Sequence, residues 1–239
     1  DGAGSVTTDS KGNVYIAGVT SGALPGQTNL GGLDAYIKKY DSNGNQLWIK
    51  QFGTTEEDSA DSVSVDASGN VYVAGFTDGA LPGQTSSGKW DAFIKKYDSS
   101  RKEIWTKQFG TNGADSANSV TTDAKGNIYV AGYIEGALPG QKSSGDQDAF
   151  IIKYDTNGTE LWTKQFGTNG ADWANGVVTD PSGNVFVAGY IEGALSGQKF
   201  LGKQDAFIRK YDPNGKEIWT KQFGTNKEDK AFSVTTDSS

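Results

Sequence analysis

The stretch Asp66–Gly75, with the sequence DASGNVYVAG, decides the fold because versions of it recur along the whole chain. A tetrad within it, Gly-Asn-(Val/Ile)-(Tyr/Phe), recurs every 57 residues with no insertion or deletion, beginning at Gly12, Gly69, Gly126 and Gly183. A fixed period of this length is typical of a repeat architecture and takes priority over any local motif. We therefore divide the chain into four complete repeats, residues 1–57, 58–114, 115–171 and 172–228, and a partial fifth, residues 229–239.

Each repeat contains four runs with the pattern of β-strands, which we name A, B, C and D. In the second repeat they are Ser62–Asp66, Asn70–Phe76, Asp91–Tyr97 and Glu103–Gly110. Strand B carries valines on one face and Tyr72 and Ala74 on the other, which is typical of a strand buried on both sides. Tight turns rich in Asp, Ser, Asn and Gly join A to B and C to D. Longer connections join B to C and D to the next A.

A four-stranded antiparallel meander repeated in tandem predicts an all-β fold, a β-propeller of four-stranded blades. Because the repeats follow one another without a linker, we expect one domain over residues 1–239. The meander places both long connections at the same end of every sheet. We name this end the long-loop face and expect it to bind ligands, since loops held by a rigid scaffold often carry function.

Composition excludes several classes of function. The chain has 239 residues, a net charge of −7, and no Cys, Met or His. An acidic chain lacks the basic surface that nucleic-acid binding needs. The missing His and Cys remove the usual general bases, nucleophiles and zinc ligands. No apolar run is long enough to span a membrane. An enzyme would depend on carboxylates or a metal, and the only modest acidic cluster is Glu56, Glu57 and Asp58. We therefore expect no enzymatic activity.

Three recurring elements resemble the SBBP family of bacterial β-propeller repeats: D-x-x-G-N-V-Y-V-A-G, D-A-F-I-x-K-Y-D-x-x-G and L/I-W-x-K-Q-F-G-T. The resemblance covers the whole chain. It implies a propeller, usually in extracellular or cell-envelope proteins of bacteria and archaea, and so a secreted or cell-envelope location. It implies no reaction, and it supplies no catalytic residues. The family name refers to seven blades, whereas this chain has four repeats and Phe232–Asp237, a fifth copy of strand A.

The fifth copy of strand A leaves three interpretations open. The chain closes as four blades with one redundant strand, or it is a fragment of a longer array. Alternatively, two chains close a larger propeller together as a homodimer, since unpaired strand edges invite partners.

Several residue types recur once per repeat and have two interpretations each. The tryptophan of strand D either fills the gap between blades or offers a sugar-stacking platform, at Trp48, Trp105, Trp162 and Trp219. The Asp that begins each repeat either caps loop N–H groups or ligates Ca²⁺, at Asp1, Asp58, Asp115, Asp172 and Asp229. The Asp that opens strand C has the same two interpretations, at Asp34, Asp91, Asp148 and Asp205. Apart from calcium, we expect no cofactor.

Other candidates lie in the long loops. The glutamine of the ALPGQ or ALSGQ turn either satisfies loop backbone groups or faces a ligand, at Gln27, Gln84, Gln141 and Gln198. Four residues break the repeat, namely Trp90, Trp173, Phe200 and Leu201. Exposed aromatic side chains suit sugars and peptides, so these four positions either contact a ligand or reflect ordinary sequence drift on a partly covered surface.

These observations favour a non-enzymatic binding or scaffold module that contacts a protein or a glycan through its long-loop face. A lectin with equivalent sugar sites in every blade is the alternative, and an enzyme is less favoured than either.

Overall fold

The computed structural model describes residues 1–237, which form sixteen strands and no helix. The first sheet contains β1 (Gly2–Thr8), β2 (Val14–Thr20), β3 (Asp34–Tyr40) and β4 (Gln46–Phe52). The second contains β5 (Asp58–Val65), β6 (Val71–Thr77), β7 (Asp91–Tyr97) and β8 (Glu103–Phe109). The third contains β9 (Ser116–Thr122), β10 (Ile128–Ile134), β11 (Asp148–Tyr154) and β12 (Glu160–Phe166). The fourth contains β13 (Trp173–Thr179), β14 (Val185–Ile191), β15 (Asp205–Tyr211) and β16 (Glu217–Phe223).

Each sheet is an antiparallel meander whose strands follow chain order, which confirms the predicted A-B-C-D arrangement. The all-β, four-stranded blade class is therefore confirmed. The register repeats as well. Strand A is bulged at the same place in the first, second and fourth sheets, between Ala3 and Ser5, between Ala60 and Ser62, and between Ala174 and Gly176. Strand A extends further toward its N-terminus than the sequence indicated, since β5 begins at Asp58.

The described chain forms two compact units. Unit 1 comprises Asp1–Gly110 with Ala114–Ala117 and holds the first two sheets. Unit 2 comprises Thr111–Gly113 and the chain from Asn118 onward, and it holds most of the third sheet and all of the fourth. A single domain over the whole sequence stays a prediction.

The core of each unit lies between its two sheets. In unit 1, Phe52 of β4 meets Phe93 of β7 edge to face, with ring centroids 5.9 Å apart. The counterparts in unit 2, Phe166 and Phe207, make the same contact at 5.5 Å. Burying such a side chain contributes about 1.5–3 kcal/mol, so these aromatic pairs supply much of the attraction between sheets. Trp48 and Trp162 are partly buried, and they pack against the apolar cores of unit 1 and unit 2, respectively.

The tight A–B turns follow from the sequence D-x-x-G-N. In the second sheet, Asp66 Oδ1 accepts hydrogen bonds from the N–H groups of Ser68 and Asn70, and Gly69 adopts a φ of 80°. Glycine reaches this left-handed conformation without steric cost. In the first sheet burial raises the pKa of the corresponding Asp9, but hydrogen bonds outweigh it and lower the pKa to about 2.

The last described residues lie beside β13. We name residues 230–237 the tail segment. Asn175 Nδ2 donates to the carbonyl of Ala231 at 2.9 Å, and Thr236 Oγ1 donates to the carbonyl of Thr179 at 3.3 Å. Thr179 Oγ1 makes the same contact with Thr122 of β9, at 3.4 Å. The tail segment therefore occupies the place of a next strand A, although it forms no strand pairing within the described residues.

Candidate functional site

A glutamine at the end of strand D fixes the B–C loop of every sheet. Gln108 Nε2 donates to Gly79 O and to Asp91 Oδ2, both at 2.7 Å, and Gln108 Oε1 accepts from Leu81 N at 2.9 Å. The equivalent residues bond their own Asp in the same way, namely Gln51, Gln165 and Gln222. This residue was not among the sequence candidates, although the constant K-Q-F-G motif signalled it.

The ALPGQ glutamine bonds the same strand. Gln84 Oε1 accepts the backbone N–H of Gln108 at 3.1 Å, and Gln84 Nε2 donates to Gly83 O at 3.1 Å. The side-chain oxygen of the counterpart accepts from strand D in each other sheet, at Gln27, Gln141 and Gln198. These carboxamides engage their own chain, and contact with a ligand at these positions stays a prediction.

The Asp that begins a repeat is buried at Asp58, Asp115 and Asp172, partly buried at Asp229 and exposed at Asp1. Asp172 accepts hydrogen bonds from Thr168 N, from Thr168 Oγ1 at 3.1 Å and from Glu192 N at 2.9 Å. Asp58 accepts from Thr54 N at 2.5 Å, and Asp229 accepts from Thr225 N at 2.6 Å. Desolvation exceeds the effect of these bonds and raises the pKa of Asp172 to about 6.

A second buried Asp, at the start of strand C, lies close to the first. Asp91 Oδ2 is bonded, whereas its Oδ1 finds no hydrogen-bond partner among the described residues. A Cβ added to Gly110 would lie 2.4 Å from Asp91 Oδ1 and 2.6 Å from Asp115 Oδ2. The glycine of the F-G-T motif therefore leaves room for two carboxylates.

The paired carboxylates bear on the calcium prediction. Calcium in proteins takes six to eight oxygen ligands. No group of three or more Asp, Glu, His or Cys with metal-binding geometry occurs within residues 1–237. Each pair alone offers fewer ligands than Ca²⁺ uses, and a calcium role for Asp58, Asp115, Asp172 and Asp229 stays a prediction.

Trp90 lies in the B–C loop of the second sheet, next to strand C. Its indole stacks on Phe76 with centroids 4.6 Å apart and planes inclined by 26°. The side chain is partly exposed. Since Phe76 covers one face of the indole, the other face is the one that a ligand would reach.

Trp173, at the start of β13, lies in an aromatic stack. It is parallel to Tyr133 at 4.2 Å and inclined by 38° to Tyr190 at 5.5 Å. Its Nε1 donates to Gln147 Oε1 at 2.7 Å. Sequence reasoning found Trp173 and missed both tyrosines, although the position they share is aromatic in three of the four repeats. Lys230, the counterpart of Trp173 in the tail segment, lies 4.5 Å over the Tyr190 ring.

An open cleft of about 570 Å³ adjoins this stack on the long-loop face of unit 2. Its lining includes Glu135, Asp146, Gln147 and Ala171. Gln147 joins the cleft to Trp173, and Ala171 N bonds Glu192 Oε2 at 3.3 Å. The cleft therefore combines carboxylates with the edge of an aromatic stack.

The two remaining sequence candidates, Phe200 and Leu201, are exposed in the B–C loop of the fourth sheet. Leu201 N donates to Asp205 Oδ2 at 2.9 Å, which fixes the backbone and leaves the side chain in solvent.

A smaller cavity lies in unit 1, at the tight-turn end of the first two sheets, where the sequence predicted only structural turns. It measures about 190 Å³ and includes Asp9, Lys11, Lys39 and Asp66 in its lining. Lys39 Nζ lies 3.7 Å from Asp9 Oδ2 and 4.7 Å over the Tyr15 ring. Lys39 is thus held in place by contacts within its own chain.

Tandem four-stranded antiparallel meanders with this turn chemistry define a protein built of β-propeller repeats. The family whose model matches parts of three repeats is SBBP, in agreement with the sequence resemblance. The family model, described as a beta-propeller repeat, matches residues 47–82, 104–138 and 161–195.

Two curated proteins are similar to this chain. The regulatory protein FlaEY of Caulobacter vibrioides is 32% identical over 196 residues, which cover 73% of this chain and 20% of that protein. An uncharacterized WD repeat-containing protein of Acanthamoeba polyphaga mimivirus, L264, is 32% identical over 186 residues, covering 62% of this chain and 13% of that protein. The chain thus spans about a fifth or less of these relatives.

Among solved structures, the WD40 domain of Neurospora crassa Pan2 is 11% identical with a TM-score of 0.48, covering 92% of this chain and 66% of that one. A GH43_12 protein retrieved from a capybara gut metagenome is 12% identical with a TM-score of 0.47, covering 93% of this chain and 41% of that one. Within residues 1–237 no helix is long and apolar enough to cross a membrane.

Proposed function

We propose that this chain is a non-enzymatic binding module of a secreted or cell-envelope protein, and that it binds a protein partner through the long-loop face of unit 2. The observation that carries the proposal is the cleft of about 570 Å³ beside the Trp173 stack. The secreted or envelope location has its support in the family resemblance alone.

The charge of the cleft favours a basic partner segment. Glu135 and Asp146 line the cleft, and Glu192 lies at its border through its bond to Ala171 N. The whole chain carries a net charge of −7, which attracts cations at long range. Lysine or arginine side chains of a partner would pair with these carboxylates and pack against the exposed edge of the aromatic stack.

Binding of a basic peptide tests the proposal. The probe is a fluorescein-labelled peptide with a central Lys-Arg pair, and its Glu-Glu counterpart is the negative probe. Fluorescence anisotropy should show binding of the first only. We expect the double variant Glu135→Gln and Asp146→Asn to weaken binding about tenfold, the usual effect of losing roughly 1.4 kcal/mol.

The control removes the same amount of charge elsewhere. Glu56→Gln with Glu57→Gln neutralises two exposed carboxylates of unit 1 and should change the affinity less than about twofold, or roughly 0.4 kcal/mol. Equal weakening by both double variants would show general charge attraction and refute the cleft as the site. Absence of binding to the unsubstituted protein would refute the basic-peptide specificity.

A glycan ligand is the second candidate, and the half-covered indole of Trp90 favours it. A sugar would stack on the face opposite Phe76. Trp90→Ala should abolish signals on a printed glycan array, whereas Trp90→Phe should keep part of them. The cleft itself argues against identical sites in every blade, because Asp146 and Gln147 correspond to Lys89 and Trp90 in the second repeat. An array without signal would eliminate this candidate.

A further inference from the structure

An open cleft of basic character lies in unit 1, where the C–D turn of the second sheet lies beside strand D of the first. It measures about 360 Å³, and we name it the basic cleft. Its lining is Ile49, Lys50, Ser100, Arg101 and Lys102. All three charged residues of this lining are cations, although the chain as a whole carries a net charge of −7. A local excess of positive charge in an acidic chain favours an anionic ligand at that place.

The three cations of the basic cleft are not neutralised by neighbouring carboxylates. None of them forms a salt bridge within residues 1–237. Lys50 Nζ lies 4.9 Å over the ring of the buried Tyr97, which positions the ammonium group without cancelling its charge. The side chains of Arg101 and Lys102 are exposed. The cleft therefore presents charged N–H donors to an anion that enters it.

The two carboxylates that flank the turn in sequence have partners of their own. Asp98 Oδ1 accepts the backbone N–H groups of Ser100 and Lys102 at 2.8 and 2.9 Å, which closes the turn. Glu103 Oε2 pairs with Lys95 Nζ at 3.2 Å. Since Glu103 balances Lys95, Asp98 alone remains in the turn to offset three positive charges.

Arg101 is the residue at which the second repeat departs from the others. It adopts a φ of 75° at a position that is glycine in the other three complete repeats, namely Gly44, Gly158 and Gly215. The turn is unchanged, since Arg101 N donates to Asp98 O at 3.0 Å, as the glycine N–H does in the other repeats. Glycine adopts this left-handed conformation without steric cost, and arginine does not. Backbone strain of this kind concentrates at functional sites, which indicates a role for the side chain.

Unit 2 provides an internal comparison for the basic cleft. The residues equivalent to its lining are Thr163, Lys164, Asn214, Gly215 and Lys216. The two lysines are common to both sets, so the guanidinium of Arg101 is the group that unit 1 adds. The planar fork of an arginine binds an oxyanion through two parallel hydrogen bonds, whereas a lysine acts as a point charge. The basic cleft thus has the donor set for an anion with several oxygens.

We propose that the basic cleft binds a sugar bearing a phosphate or sulfate ester, with Arg101 as the bidentate donor and Lys50 and Lys102 as flanking charges. A tetrahedral ester group offers three terminal oxygens to the three cations, whereas a carboxylate offers two. The cleft volume lies within the range of small-molecule sites, about 300–1,000 Å³, so it has room for the sugar as well as its ester group. Ile49 supplies an apolar contact for the ring of the sugar.

Titrations followed by NMR test the ligand chemistry. The probes are glucose 6-phosphate and glucose 6-sulfate, with glucose, glucuronate and O-phosphoserine for comparison, all at one ionic strength set by sodium chloride. We expect both sugar esters to shift the amide resonances of Ser100 and Lys102, glucose to leave them unchanged, and glucuronate to bind about tenfold more weakly. No shift with either ester, or equal affinity for glucuronate, would overturn the proposal. Tighter binding of O-phosphoserine than of both sugar esters would overturn the sugar as the ligand.

Arg101→Gly tests the site, because it restores the glycine of the other repeats and removes the left-handed strain. Loss of binding in this variant therefore cannot result from unfolding. We expect its affinity for both esters to fall at least about tenfold. Lys102→Gln should weaken binding about threefold, and Lys216→Gln, its counterpart in unit 2, less than about 1.5-fold. Binding that survives Arg101→Gly, or equal effects of the two lysine substitutions, would overturn the proposal. None of these residues lines the cleft beside Trp173, so the two proposals are tested independently.

Discussion

Gln51 Nε2 lies 2.6 Å from Asp34 Oδ2, and this buried pair joins strand D to strand C beneath the long loop of the first sheet. The same pair recurs in every sheet, with distances of 2.7, 2.8 and 2.9 Å for Gln108–Asp91, Gln165–Asp148 and Gln222–Asp205. The long-loop face of every sheet therefore rests on the same hydrogen-bonded framework.

Removing this glutamine should destabilise the chain. Gln51→Leu leaves Asp34 Oδ2 and the N–H of Leu24 without their bonds to its carboxamide. Asp34 Oδ2 keeps its bond from Leu30 N, so the loss in the free energy of unfolding by urea should be about 1–3 kcal/mol, the cost of one polar group left unsatisfied. Gln46→Leu on the same strand is the control, since Gln46 is exposed, and it should change stability by less than about 0.5 kcal/mol. If Gln51→Leu and Gln46→Leu lowered the free energy of unfolding equally, the bonds of the Gln51 carboxamide would not contribute to stability.

The glycine of the F-G-T motif should not tolerate a methyl group. In Gly110→Ala the new Cβ would meet Asp91 Oδ1 at 2.4 Å and Asp115 Oδ2 at 2.6 Å. Overpacking of this kind costs about 1–3 kcal/mol, which thermal or urea unfolding would detect. Gly22→Ala is the matched control, because nothing lies within 4 Å of its Cβ position. A harmless Gly110→Ala would show that the carboxylates move apart at little cost.

Arg101 offers a stabilising substitution. It adopts a φ of 75° at a C–D turn position where the other three repeats have glycine, namely Gly44, Gly158 and Gly215. A left-handed conformation costs a non-glycine residue roughly 1 kcal/mol. Arg101→Gly should therefore raise the free energy of unfolding by several tenths of a kcal/mol to about 1 kcal/mol. Ser100→Gly, one residue earlier, should not stabilise, and a gain from both would implicate another cause.

Asp172 should make stability depend on pH in mildly acidic solution. Burial raises its pKa from 3.8 to about 6, so the folded chain binds this proton more tightly than the unfolded chain. Its contribution is fully present below about pH 4 and is lost as the pH rises through about 6. We therefore subtract the free energy of unfolding of the Asp172→Asn variant from that of the natural chain. This difference should fall between about pH 4 and pH 6 and stay flat above pH 7.

Asp155 provides the opposite case for the same measurement. Backbone and side-chain hydrogen bonds from Thr159 lower the pKa of this exposed carboxyl. Its contribution is present above about pH 4 and is lost at lower pH. Asp155→Asn should thus change the pH dependence only on the acidic side. A difference curve for Asp172→Asn that rises between pH 4 and 6 would contradict the assignment.

The strands and turns were predictable because they depend on local chemistry. Strands B and C were located within one residue, since their apolar faces and flanking turn residues are adjacent in sequence. Strand A was predicted too short. Its first residues, Asp58 to Ala60, precede a bulge that interrupts the alternation of apolar and polar positions. A pattern with a period of two does not extend across such a shift of register.

The candidate site was predictable only in part. Trp173 was found because it breaks the repeat, but its partners Tyr133 and Gln147 come from the preceding repeat. Their proximity depends on how the fourth sheet packs on the third, which no local motif encodes. The sequence also left open whether the ALPGQ glutamine faces a ligand, whereas the structure places its oxygen on strand D.

The sequence by itself determined the repeat, the four-stranded blade and the positions of its turns, because period, side-chain alternation and glycine conformations are properties of neighbouring residues. Only the tertiary structure decided which polar groups meet in the interior, such as Asp91 with Gln108, and which apolar residues stay exposed, such as Val6 and Phe223. The physical reason is that burial and hydrogen bonding depend on distances between strands that are far apart in sequence.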